Sequence, residues 1–253
     1  MLEADIRRCR ERKPILLMTH IVLGYPTLDD SRRLVETMIE AGVDLIELQI
    51  PFSEPIADGP VILHANQRAL GAGATVGRCF ETAARLAADA PIPLLFMTYC
   101  NIPFVMGFER FARETRSAGI RGAIVPDLPP EEGDGLFTAM EREGVDPIFI
   151  YSPSTSAHRM KAIAARARGF VYCVARKGVT GADSNFASLD AYLAHCREAT
   201  SLPLAVGFGV KERADVEQLV GKADIAVVGS ETIRVVERQG VAAAAPFLRS
   251  LVG

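Results

Sequence analysis

Short apolar runs alternate with longer amphipathic ones along almost the whole chain. The runs at 15–22 (ILLMTHIV), 45–50 (LIELQI), 93–98 (PLLFMT), 122–125 (GAIV), 146–151 (DPIFIY), 169–174 (GFVYCV), 203–206 (PLAV) and 225–228 (IAVV) have strand length and are nearly continuously apolar. Between them the pattern predicts helices over 29–42, 61–70, 75–89, 107–118, 131–143, 156–167 and 211–220, and one ending near 200. A short polar helix over 2–12 precedes the first strand, and further helices close the chain after Ser230. Thr27 is placed to cap the helix at 29–42, and a loop with Asn101 and Pro103 follows the third strand. Eight strands alternating with eight helical segments in 253 residues match the count and size of an α/β fold of the (β/α)8 TIM barrel type. A doubly wound open sheet is the alternative, although it usually needs fewer strands. No Pro- or Ser-rich linker or change of composition interrupts the pattern, so a single barrel domain over 1–253 with a short N-terminal helix is expected.

The apolar pattern breaks most sharply within 45–63, LIELQIPFSEPIADGPVIL. Alternation along the strand puts Leu45, Glu47 and Gln49 on one face and Ile46, Leu48 and Ile50 on the other. An unpaired carboxylate buried at Glu47 is costly, so it is either half of a structural ion pair or a functional group. Asp58 has a bland reading too, because Asp-Gly-Pro before an apolar run is a normal helix start with Asp as N-cap. A barrel carries its chemistry at the C-terminal ends of its strands, which puts Glu47 and the loop holding Asp58 at the mouth. Gly207-Phe208-Gly209 after the seventh strand and Gly229-Ser230 at a helix start after the eighth suit a phosphate. Gly178 and Gly181, in the long loop after the sixth strand, are candidates for a third phosphate contact and for lid hinges; a plain surface loop is the alternative.

Composition narrows the classes further. The chain is 49% hydrophobic and 23% charged, enough for a substantial core, and its net charge of −3 without a basic run gives no nucleic-acid footprint. No apolar stretch is long enough to span a membrane. The opening MLEADIRRCRERK is charged and amphipathic without a secretory apolar core. Cys9, Cys79, Cys100, Cys173 and Cys196 are odd in number and lack paired spacing, which suits a reducing cytoplasm and argues against a disulfide framework or a zinc site. His195 beside Cys196 reads as a helix surface feature rather than a metal pair.

Glu47-Leu48, Pro51-Phe52-Ser53 and Pro55-Ile56-Ala57-Asp58-Gly59-Pro60 together resemble the signature of tryptophan synthase α subunits. The likeness extends through Leu23-Gly24 with Pro26, Asn101, Pro126-Asp127-Leu128-Pro129, Gly178-Val179-Thr180-Gly181, Gly207-Phe208-Gly209 and Gly229-Ser230. The resemblance implies cleavage of indole-3-glycerol phosphate to indole and glyceraldehyde 3-phosphate. It implies transfer of the indole to a β subunit, expected in an α2β2 complex, which uses pyridoxal phosphate and serine; the α subunit itself needs no cofactor and no metal. Matched position by position, Glu47 is the general acid/base and Asp58 the partner of the indole nitrogen. Tyr172 matches a pocket tyrosine, Gly181, Gly209, Gly229 and Ser230 match phosphate contacts, and Thr180 matches a lid residue that meets the aspartate.

Four positions depart from the pattern. His20 stands where the family commonly has a Phe lining the indole pocket, and it shares a face with Met18 and Val22; it is a site residue or a satisfied core histidine. Gln49 replaces a usual Gly on the same side as Glu47, Glu54 replaces a usual Asp in a loop facing the β subunit, and Lys177 puts a cation at the root of the lid loop. Other readings are a stand-alone lyase, a lyase for a related aryl-glycerol phosphate, a non-catalytic partner of a β-type enzyme, and an unrelated sugar-phosphate isomerase.

Overall fold

The computed structural model describes residues 2–175 and 188–252. Eight parallel strands close in chain order into a barrel, with the last hydrogen-bonded to the first. They are β1 (Leu16–Val22), β2 (Leu45–Gln49), β3 (Leu94–Met97), β4 (Gly122–Ile124), β5 (Asp146–Tyr151), β6 (Val171–Val174), β7 (Leu204–Gly207) and β8 (Ile225–Val228). The open-sheet alternative is thereby excluded. Helix α1 (Leu2–Arg10) precedes the barrel, and α2 (Leu28–Glu40), α3 (Pro60–Gly71), α4 (Val76–Asp89), α5 (Asn101–Met106) and α6 (Phe108–Ser117) follow the first three strands. The second half carries α7 (Asp134–Glu143), α8 (Ala157–Arg166), α9 (Leu189–Ala199), α10 (Arg213–Glu217), α11 (Ser230–Gln239) and α12 (Ala244–Val252).

Continuously apolar strands are needed because both faces are covered. Leu45 joins Leu16, Met18, Leu95, Met97, Ile148 and Val227 inside the barrel. Ile46, Leu48 and Ile50 instead pack outward with Leu34, Val35 and Met38 of α2. The inner cluster fills the lower barrel and is sealed by Leu2 and Ile6 of α1, which are 1% and 2% exposed. A salt bridge of 3.0 Å from Arg121 to Asp5 holds α1 against the barrel floor. Polar residues on the inward face are therefore displaced upward, to the C-terminal mouth.

Thr27 caps α2, its hydroxyl accepting from the Asp30 N–H at 3.0 Å. Residues 101–106, expected as loop, form α5; Pro103 fits because it lies in the first turn, where the N–H has no intrahelical acceptor. Helix α10 covers only 213–217 of the expected 211–220, and its start is fixed by a reciprocal cap between Glu212 and Asp215. Beside exposed His195, Cys196 points inward and is fully buried, so only the histidine is a surface feature.

Candidate active site

Parallel pairing sets His20 of β1 beside Glu47 of β2 in register. Both face into the barrel and both are only 4% exposed. His20 Nδ1 lies 2.8 Å from Glu47 Oε1. The second oxygen of Glu47, Oε2, and the second ring nitrogen of His20, Nε2, are buried without a hydrogen-bond partner among the described residues. One end of each side chain is thus tied, and the other is not.

Asp58 is held in the same manner from the loop after β2. It does not cap α3: the N-cap is Gly59, with no side-chain cap, and Pro60 opens the helix. Its Oδ2 instead accepts from Gln49 Nε2 at 2.7 Å and from the Tyr99 hydroxyl at 3.0 Å. Tyr99 also accepts from the Ala57 N–H at 3.1 Å and stacks on Phe52, with ring centroids 5.4 Å apart. The Phe52 N–H donates to Asn66 Oδ1 at 2.9 Å, which pins the loop to α3. Two prolines and these bonds make the loop a fixed mount for Asp58.

The electrostatics follow from this geometry. Burial opposes charge on His20 more than any other single effect. The Glu47 carboxylate, its hydrogen bond and the nearby Asp58 together outweigh it, so the imidazole is raised above its usual value. Burial also raises the Asp58 carboxyl, against the opposing pull of His20 and the hydrogen bonds from Gln49 and Tyr99. Tyr172 is held protonated by burial and by the charges of Glu47 and Asp58, which places its phenol in the same field.

Glycines shape the opposite rim. A Cβ on Gly207 would stand 3.0 Å from the Tyr172 hydroxyl, so the tyrosine occupies the space a side chain there would need. Gly209 has φ +88°, a conformation that favours glycine, and it turns the chain out of β7. Gly229 is the N-cap of α11, and Ser230 is its first residue, so the first-turn N–H groups of that helix open towards the mouth. Thr180, Gly181, Gly178 and Lys177 lie outside the described residues.

The whole arrangement has close counterparts. A family model described as tryptophan synthase alpha chain matches residues 6–247. The chain belongs to the tryptophan synthase alpha chain family. The tryptophan synthase alpha chain of Desulforapulum autotrophicum is 61% identical over 99% of this chain and 100% of that protein. Among solved structures, Mycobacterium tuberculosis tryptophan synthase matches with a TM-score of 0.90 at 31% identity, covering 99% of this chain and 96% of that one. A tryptophan synthase complex from Pyrococcus furiosus matches with a TM-score of 0.85 at 28% identity, over 94% of this chain and 98% of that one. The family reaction is a lyase step of tryptophan biosynthesis, the cleavage of indole-3-glycerol phosphate to indole and glyceraldehyde 3-phosphate.

In this member of the tryptophan synthase alpha chain family, the site is supported from several strands and the loop after β2. His20, Gln49, Glu47, Asp58 and Tyr172 converge on one mouth; strand parity gives the shared side of Glu47 and Gln49, while Asp58 arrives from the loop. Tyr99 was not singled out from the sequence, yet it binds the Asp58 oxygen directly. The available signal was parity: Tyr99 continues the inward alternation of Leu95 and Met97. Phe52 acts through its ring on Tyr99 and its N–H on the Asn66 side chain, and spacing alone carries no signal for those contacts.

Proposed function

We propose that Glu47 and Asp58 divide the retro-aldol cleavage of indole-3-glycerol phosphate between them. The observation that carries this is that each carboxylate has one oxygen bound by protein donors: Oε1 of Glu47 by His20, and Oδ2 of Asp58 by Gln49 and Tyr99. The remaining oxygens are left for a substrate. Glu47 Oε2 moves the protons, giving one to indole C3 and taking one from the side-chain hydroxyl. As C3 is protonated, positive charge grows on the ring nitrogen, and Asp58 accepts its N–H and stabilises that charge. Loss of the hydroxyl proton forms the aldehyde as the C–C bond breaks, and the bond's electron pair restores the indole ring. Gly209, Gly229 and Ser230, with Gly181 of the loop after β6, hold the phosphate through backbone N–H groups and the positive end of α11. Tyr172 lines the indole pocket. No cofactor is called for by these steps.

The proposal extends to a tryptophan synthase β subunit as partner in an α2β2 complex. Ile56 is 80% exposed on the loop carrying Asp58, and Phe104 and Val105 on α5 are 70% and 76% exposed. An apolar patch on one rim of the barrel is suited to cover by another subunit. Glu54 lies exposed on the same loop. Five unpaired cysteines suit a cytoplasmic location. Among the described residues, no helix is long and apolar enough to cross a membrane.

The test is indole release by the purified chain, alone and with a β subunit, alongside Glu47→Gln. Slow release that rises with the β subunit and a variant that folds but turns over about 100-fold or more slower are expected. A Glu47→Gln enzyme of near-normal rate refutes the assignment, and fast release alone that a β subunit does not alter favours a stand-alone lyase.

A further inference from the structure

His20 is the one basic side chain among the described residues shown in contact with Glu47, and the contact is specific in its atoms. The strands fix it: His20 and Glu47 are register partners, so backbone hydrogen bonds bring the two side chains together. The contact leaves Nε2 of the ring and Oε2 of the carboxylate without partners among the described residues, at about 4% exposure of both side chains. The His20 Cβ lies beside Gly229, where an added Cβ would stand 3.8 Å away.

A carboxylate has two equivalent oxygens and rotates about its last bond, so an isolated glutamate offers either oxygen in several orientations. A donor on one oxygen removes that equivalence. We propose that His20 is a positioning residue for Glu47, its Nδ1–H fixing Oε1 so that Oε2 alone is presented to the substrate. This rests on the reading of Glu47 as the acid/base. A phenyl ring at position 20 would fill similar space but leave Oε1 buried without a donor, and Glu47 would be free to turn.

The groups around His20 set the pH behaviour. Among the described residues, from β2 it meets Glu47 and Gln49, from the loop after β2 the charge of Asp58, and from the turn between β8 and α11 the uncharged Gly229. Tyr172 of β6, in the field of both carboxylates, stays protonated. The imidazolium offsets part of the negative charge of the two carboxylates. Its deprotonation, above the ordinary imidazole value, removes that offset and lets the ring take the tautomer with its proton on Nε2, in which Nδ1 no longer donates to Oε1.

The experiment compares wild type, His20→Phe and His20→Asn in steady-state cleavage of indole-3-glycerol phosphate across pH, with thermal unfolding as the folding check. Asn carries an amide N–H close to the place of Nδ1 but never a charge. His20→Phe should lower kcat by about tenfold or more with little change in KM. His20→Asn should recover most of that loss, and both should lack the alkaline limb that wild type shows above the usual imidazole range. A rise in KM with kcat intact would mean that His20 touches substrate instead, and an unchanged pH profile in both variants would overturn the proposal. If His20→Phe does not fold, His20→Asn decides: near-normal kcat without the alkaline limb supports positioning, and any other profile refutes it. Wild type that releases no indole, alone or with a β subunit, overturns the underlying reading of the site, whereas an active wild type with indifferent variants overturns only the role of His20.

Discussion

Gln49 and Asp58 meet at the barrel mouth with Nε2 2.7 Å from Oδ2, so a strand residue holds a carboxylate that the following loop delivers. The bond lowers the Asp58 carboxyl against the burial that raises it. Removing it must move the titration of Asp58 upward.

Gln49→Gly and Tyr99→Phe each take one of the two donors from Asp58 Oδ2. The acid limb of kcat/KM, set by ionised Asp58, should shift to higher pH in both variants. Tyr99→Phe should cost more activity, because it also frees the Ala57 N–H and loosens the loop. A pH–rate profile of each variant checks this, and an acid limb that stays in place or moves down would contradict it.

Asp58→Asn separates activity from stability. Because the folded-state carboxyl is raised, native Asp58 binds its proton more tightly than in the unfolded chain, so its charge weakens the fold above that range and the penalty fades as pH falls through it. The amide can still accept from Gln49 and Tyr99. It should melt at a higher temperature than wild type near neutral pH, with the gap closing in acid, while turnover falls about 100-fold or more. Thermal unfolding at two pH values measures the first effect and indole release the second.

Gly207→Ala presses a methyl group against Tyr172, whose hydroxyl and Cε1 lie 3.0 and 3.2 Å from the new Cβ position. Tyr172 must move, since the alternative is to shift β7. A drop in kcat/KM of about tenfold to a hundredfold is expected, and removing the nearest atom, the hydroxyl, by pairing the change with Tyr172→Phe should not add a comparable further loss.

Ile6→Ala opens a cavity at the barrel floor, where Ile6 packs with Leu2, Leu16 and Phe170. It should cost about 2–5 kcal/mol in urea unfolding and leave the kinetic constants of the folded enzyme near wild type, because the site lies at the opposite end. A loss below about 1 kcal/mol would show that α1 is not part of the packed floor.

Much of the site was legible because strand parity is a local rule. Glu47 and Gln49 share a side because they are two residues apart, and His20 follows Met18 inward for the same reason. Asp58 was legible as a candidate, but its N-cap alternative was settled only by the bend of the loop, which gives the cap to Gly59. Tyr99 was missed because it stands just past the expected end of the third strand, where alternation is least secure.

The sequence by itself determined the strand count, the two-sided burial of the sheet and the pair of carboxylates, because these follow from periodicities of two and 3.6 residues and from the cost of charge in an apolar strand. Tertiary structure alone decided which donor holds which carboxylate. His20 and Glu47 are 27 residues apart along the chain, and only the register of β1 on β2 makes them neighbours. Tyr99 reaches Asp58 across 41 residues in the same way. Register is a property of closed backbone ladders, and no local pattern in either strand specifies the partner across the gap.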